Sequence, residues 1–323
     1  MQALGALALA FALAAAAAAP PAAAETVYVS NEQDNTVSVI DGAALKIVAT
    51  IRVGRRPRGI ELSRDRKLLY VAAGDDNRID VVDLAARKVT GKLPSGEDPE
   101  RFVVHPDGKR LFVANENDNV VSVLDIEKRK VVEEIQVGVE PEGMAVSPDG
   151  RLVVCTSETT SMVHVIDAAT YEVIDNVLID TRPRAAAFSA DGKEIWLTSE
   201  LRGTATVIGA DDRAVRGTVE FSVQGVPREQ VQAVGVALTR GGRAYVALGP
   251  ANRVAEIDAK SLKVLRYYLV GQRVWNVALS ADEKRLYTAN GNSGDVSVID
   301  LERHEVVKSV PVGRSPWGVA VGP

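Results

Sequence analysis

The chain has 323 residues, with 38 basic and 43 acidic side chains, a net charge of −5 and 46% apolar residues. That balance excludes a nucleic-acid binder acting through bulk positive charge, a disordered chain and a multi-span membrane protein. A single cysteine, Cys155, excludes an intramolecular disulfide, a zinc site built from several thiolates and a CxxCH haem attachment.

Residues 1–24 carry no charge, and 20 of these 24 are apolar. The run Ala3–Ala19 ends in Pro20-Pro21 and three alanines ahead of Glu25. This predicts a signal peptide cleaved near Ala24 and export to the periplasm. No Lys or Arg precedes the run, which departs from the usual pattern. The run is Ala-rich and shorter than the ~20 apolar residues a membrane span needs, so no span is expected after cleavage.

From Glu25 onward one unit recurs. Val37-Ser-Val-Ile-Asp41 returns as Ile79–Asp83, Val121–Asp125, Val163–Asp167, Ala205–Gly209, Val254–Asp258 and Val296–Asp300. The last residues of these segments are spaced 42, 42, 42, 42, 49 and 42. Ahead of most of them lies an aromatic-led strand (Tyr28, Tyr70, Phe112, Tyr245, Tyr287), and a valine-rich piece such as Lys46–Val53 or Lys130–Val137 follows. A further strand ends in a turn, as in Gly143–Gly150. Alternating β-branched residues between Pro, Gly, Asp and Asn clusters predict four short strands per unit, and no segment has a helical period. Seven such units predict an all-β, seven-bladed β-propeller of four-stranded antiparallel blades occupying 25–323 as one domain. A β-helix would have a shorter repeat, and an open solenoid would need end caps. The ends predict how the ring closes, with Trp317–Val321 pairing beside Thr26–Ser30.

These units resemble the YVTN family of β-propeller repeats, most closely at Tyr28–Asp41, Phe112–Asp125 and Thr288–Asp300. Asn31–Asp41, Thr156–Thr160, Ala247–Arg253 and Val270–Trp275 are similar to the PQQ-dependent catabolism-associated β-propeller proteins. That resemblance implies an exported protein serving periplasmic alcohol oxidation by quinoprotein dehydrogenases, beside an ABC-type transport system. Gly209 in place of the repeat Asp, Asp180 in place of a turn glycine, and the uncharged leader depart from the pattern.

Consensus residues build the scaffold, so departures gathered on one face are where function is expected. The residue just before each expected inner strand reads Arg58, Glu100, Glu142, Arg184, Val234, Trp275 and Trp317. Two residues earlier stand Arg56, Asp98, Glu140, Arg182, Arg273 and Ser315. The axial mouth is therefore expected to carry an acidic arc between basic arcs, with an aromatic wall opposite. Such a funnel suits a small anionic or zwitterionic ligand with a flat apolar part. The plainer reading is that the Arg and Glu side chains simply pair around the rim. Seven extra residues fall between Thr218 and Gly235, on the same face, as a lid, a docking loop or mere drift. His105, His164 and His304 are scattered and predict no shared metal site, and Cys155 reads as an inert buried residue. The Asn/Asp-rich loops near Asn77, Asn119 and Asn290 lack EF-hand spacing and read as hairpin turns.

The first functional expectation is a non-catalytic, monomeric binding propeller whose partners are periplasmic redox or transport proteins of alcohol oxidation, or a small molecule. The second is a lactonase- or lyase-type enzyme with Ca²⁺ or another divalent cation held by Asp98, Glu100, Glu140 and Glu142. The third is a non-covalent haem or other cofactor carrier, which needs an axial histidine. A quinoprotein dehydrogenase is disfavoured, because three tryptophans cannot supply a docking motif in every blade.

Overall fold

The computed structural model describes residues 25–322, and the leader expected over 1–24 lies outside them. Twenty-eight strands form seven four-stranded antiparallel sheets. Six are built from consecutive strands, such as Pro57–Leu62, Leu68–Ala73, Arg78–Asp83 and Lys88–Pro94. The seventh joins the two ends of the chain. Pro316–Gly322 pairs with Thr26–Asn31, with Val27 opposite Val321 and Tyr28 opposite Ala320. The expected closure is therefore present. Among the described residues no helix is long and apolar enough to cross a membrane.

The repeat maps onto this geometry in physical terms. Each strand alternates its side chains between two faces, and one blade cannot cover both of its own. The core is accordingly divided into seven clusters between neighbouring blades. Phe112, Val121, Met144, Val153, Cys155 and Ile166 form one of them. The outermost strands stay half in solvent, as in Val173–Leu178. The repeat Asp is a turn cap: Asp41 Oδ1 accepts from the N–H groups of Ala43 and Ala44 at 2.9 and 2.7 Å. Where Gly209 replaces it, a Cβ would collide with Asp212 and Arg216, and Asp212 caps the turn through the Ala214 N–H instead.

The inner strands position the mouth. Five of them start at proline (Pro57, Pro99, Pro141, Pro183, Pro316), which suits the first residue of a strand that needs no donor there. Behind that first residue the pairing with the neighbouring strand slips, for example between Pro57 and Ile60, Pro99 and Phe102, and Pro141 and Met144. The second residue of each inner strand falls in this bulge, and a bulge re-aims its side chain. Those second residues are Arg58, Glu100, Glu142, Arg184, Val234, Trp275 and Trp317.

Candidate functional site

At the axial mouth the bulged side chains do meet, and the charged ones pair. Arg58 reaches Glu100 at 2.6 Å and Glu32 at 3.3 Å. Arg56 spans Asp75, Asp98 and Glu100, the last at 3.2 Å. Arg184 contacts Glu142 at 3.2 Å, Glu200 at 3.7 Å and also Glu158. Arg182 bridges Glu158 at 2.6 Å and Glu200 at 3.0 Å, and Arg273 reaches Glu200 at 3.2 Å. Glu140 stands apart from this network and accepts from the Thr159 hydroxyl.

The network is buried, which changes its energetics from those of a rim. Glu100, Glu142 and Glu158 are 0–3% exposed. Exposed pairs contribute ~0–1 kcal/mol each, whereas buried ones must first offset the loss of hydration. Burial pushes the carboxyls of Glu100 and Glu142 above their ordinary range. It pushes Glu158 up to about 7, against the pull of Arg184 and Arg182. Of the three, Glu158 is therefore the one poised to exchange a proton near neutrality.

The two tryptophans lie against cations rather than forming an open wall. Trp275 is flanked by Arg273 at 4.1 Å and Arg184 at 5.5 Å from its ring centre. Trp317 is 2% exposed and lies beneath Arg58 and Arg101, at 5.8 and 5.4 Å. Arg101, Glu142, Arg184, Trp275, Asn276 and Trp317 enclose a cavity of only about 10 Å³, close to one water molecule.

Several members of this site were not among the residues singled out from the sequence. Glu32, Glu116, Glu158 and Glu200 follow the second strand of their blades, and the equivalent residues elsewhere are Gly74, Gly249 and Gly291. The 42-residue period held this signal, but it becomes meaningful only once that turn is seen beside the bulge. The glycines make room. A Cβ on Gly74 would meet Arg56 Nη2 at 2.6 Å, and one on Gly291 would meet Trp275 Nε1 at 2.5 Å. Arg101 was also missed, although it stands where Gly59, Gly143, Gly235 and Gly318 stand in other blades.

The longer connection before the fifth inner strand, Ala233–Leu238, is neither a free lid nor drift. Phe221, Val223 and Val231 are buried in the cluster beside Trp196, and a short 3-10 turn spans Arg228–Gln230. Gln232 accepts from Arg273 at 2.9 Å, so the insertion buttresses the rim.

The expected oxygen set for a divalent cation assembles differently. The carboxylates whose oxygens lie within 4.8 Å of one another are Asp98, Glu100 and Glu116. The Arg56 guanidinium already spans two of them, so the arrangement neutralises itself as an ion-pair network. No histidine serves the mouth. His164 Nε2 accepts the Gly138 N–H at 2.8 Å, His105 Nε2 bonds Gly150 O at 2.8 Å between blades, and His304 sits in a turn beside Tyr268. An axial haem ligand is therefore not provided there. Cys155 is fully buried, and burial pushes its thiol pKa up, as expected of an inert residue.

Comparison with known proteins bears on the fold and its relatives. Residues 70–190 match the model of the cytochrome D1 heme domain. The likeness is partial. Hydrazine synthase of Kuenenia stuttgartiensis is 22% identical with a TM-score of 0.77, covering 85% of this chain and 92% of that one. The periplasmic gluconolactonase PpgL of Pseudomonas aeruginosa is 20% identical with a TM-score of 0.78, covering 93% of this chain and 99% of that one. No curated protein matches the chain. These findings overturn the expectation of a non-catalytic accessory in PQQ-linked alcohol oxidation, since the relatives are enzymes and a haem domain.

Proposed function

We propose that this propeller is a lactonase-type hydrolase acting at the axial mouth, with a sugar-acid lactone as the class of substrate. One observation carries the reading: Glu142, a buried carboxyl with a raised pKa, lines the water-sized cavity 3.2 Å from Arg184 and beside Trp275. Stability does not call for such a group, because burying an ion pair is near neutral against an apolar replacement. The structural likeness to a gluconolactonase supports the same class. The leader and the periplasmic location of that relative support a periplasmic protein. The YVTN-type repeat remains our reading of the scaffold.

The chemistry follows from the donors present. Glu142 takes a proton from a water held in the cavity as the water oxygen attacks the lactone carbonyl carbon. The resulting oxyanion faces the Arg184 guanidinium. The ring C–O bond then breaks, the leaving oxygen takes the proton back from Glu142, and the hydroxy acid formed leaves and gives its carboxyl proton to solvent. The sugar ring rests on Trp275 at the rim. Substrate enters by displacing the Arg184–Glu142 contact from the solvent side, where Arg182 and Arg273 are 39% and 21% exposed.

The test is hydrolysis of gluconolactone, corrected for its spontaneous opening and followed by pH-stat. The wild-type chain is expected to accelerate opening, and Glu142→Gln to lose about 100-fold in kcat. Trp275→Ala is expected to raise KM more than it lowers kcat. A Glu142→Gln variant as active as wild type, or no acceleration by wild type, refutes the assignment.

A further inference from the structure

Below the mouth the axial channel opens again. A cavity of about 190 Å³ lies between the inner strands, lined by Glu61, Arg101, Phe102, Met144, Val236 and Val319 among others. Arg101 and Trp317 border both this chamber and the small cavity above, so the two side chains form the partition between them.

Arg101 differs from every other arginine of the mouth. Arg56, Arg58, Arg182, Arg184 and Arg273 each contact a carboxylate. Among the described residues, no carboxylate oxygen lies within the 4.0 Å ion-pair distance of Arg101. Its Nη2 crosses the axis to donate to Asn276 Oδ1 at 2.8 Å, and Asn276 in turn donates to Trp317 O at 2.9 Å. A guanidinium carries five donors, and one amide oxygen uses one of them. Desolvation pulls its pKa below the usual arginine value, because the surrounding carboxylates of Glu142, Glu61 and Glu100 act on it from beyond contact distance and offset burial only in part.

The chamber's one carboxyl group is tied to its wall through one oxygen. Glu61 Oε2 accepts the Val104 N–H at 2.8 Å. Arg64 holds the same stretch of backbone from outside, donating to Val104 O at 2.6 Å and His105 O at 3.2 Å. The remaining lining is apolar. We propose that Arg101 anchors a second ligand site, buried in the channel beneath the mouth, that takes a small monocarboxylate with a short apolar chain. The carboxylate meets the unpaired guanidinium, and the chain lies against Phe102, Met144, Val236 and Val319. At about 190 Å³ against about 10 Å³ for the water-sized cavity above, the chamber has room for a short-chain acid.

The site does not depend on the hydrolytic reading, and its test is independent of turnover. Butanoate is titrated into the full chain by calorimetry and by tryptophan fluorescence, with butanol and sulfate as controls. Saturable butanoate binding is expected, at least tenfold tighter than butanol. Arg101→Gln is expected to weaken it tenfold or more, while Arg101→Lys keeps most of it. Val236→Phe fills the chamber without touching the charge and is expected to abolish binding, so a misfolded Arg101→Gln does not decide the matter. Trp275→Ala is expected to leave butanoate affinity unchanged. The proposal is overturned if wild type shows no saturation by about 10 mM. Equal affinity in Arg101→Gln or Val236→Phe, or loss on Trp275→Ala, overturns it as well.

Discussion

The two halves of the mouth are made from the same backbone and differ only in side chains. From Arg58 through Glu100 and Glu142 to Arg184, the bulged residue of four successive inner strands is charged and paired. In the other three it is Val234, Trp275 or Trp317, which are apolar or aromatic. Both halves keep the register slip and the short strands, so the scaffold tolerates either chemistry at that position. What differs is the cost of removal. A charged member leaves a buried partner without compensation, whereas an apolar member leaves a small void.

Breaking the ring that holds the halves together should have the largest effect. Deleting 316–323 removes Trp317 and the strand paired with Thr26–Asn31. Loss of the cooperative thermal transition, or a fall in Tm of more than about 10 °C, is expected by scanning calorimetry, since several kcal/mol of pairing and packing are lost. An unchanged melt would mean that closure does not hold the ring.

The next prediction compares one position across the halves. Glu100→Ala removes the buried carboxylate shared by Arg56 and Arg58, leaving Arg58 with Glu32 and Arg56 with Asp75 and Asp98, and is expected to cost about 2–4 kcal/mol in denaturant melts, while Val234→Ala costs roughly 1–2 kcal/mol. Equal costs would show that the charged arc is no more than packing.

The smallest effect depends on pH and probes the channel below both halves. Burial raises the Glu61 carboxyl to about 7 from its ordinary 4.5, so the folded state binds a proton that the unfolded state has lost between those values. The stability this confers is complete below pH 4.5 and is lost as pH rises through 7. Glu61→Gln should therefore melt above wild type at pH 8, with the gap closing toward pH 4.5. A gap that does not vary with pH would show that Glu61 stays ionised in the fold.

Much of this was legible in the residues. The 42-residue spacing predicts seven blades because each copy contains the same four alternating strands and capped turns, and Asp41 and its equivalents serve as those caps. The chain ends predict their own pairing, since an incomplete blade at each terminus can be satisfied only by the other. Arg58, Glu100, Glu142 and Arg184 could be singled out because the period aligns them on one face.

The partners could not be chosen that way. Glu32, Glu116, Glu158 and Glu200 occupy a different slot, and only the closed ring brings Glu32 and Glu158 against Arg58 and Arg184 of the next inner strand, Glu200 against Arg184 and Arg273, and Glu116 beside Asp98 and Glu100. Periodicity likewise places Arg101 in a glycine position without saying that it crosses the axis to Asn276, because that contact joins blades 175 residues apart. The insertion is visible as a break in spacing, yet whether Phe221 and Val231 turn inward is decided by the apolar space beside Trp196. The sequence by itself determined the blade, the number of blades and their closure, because these rest on local alternation and repetition. Which charges are paired, which is left alone, and how little room remains at the mouth were decided by the tertiary structure. Those properties depend on distances between side chains that meet only when the ring is shut.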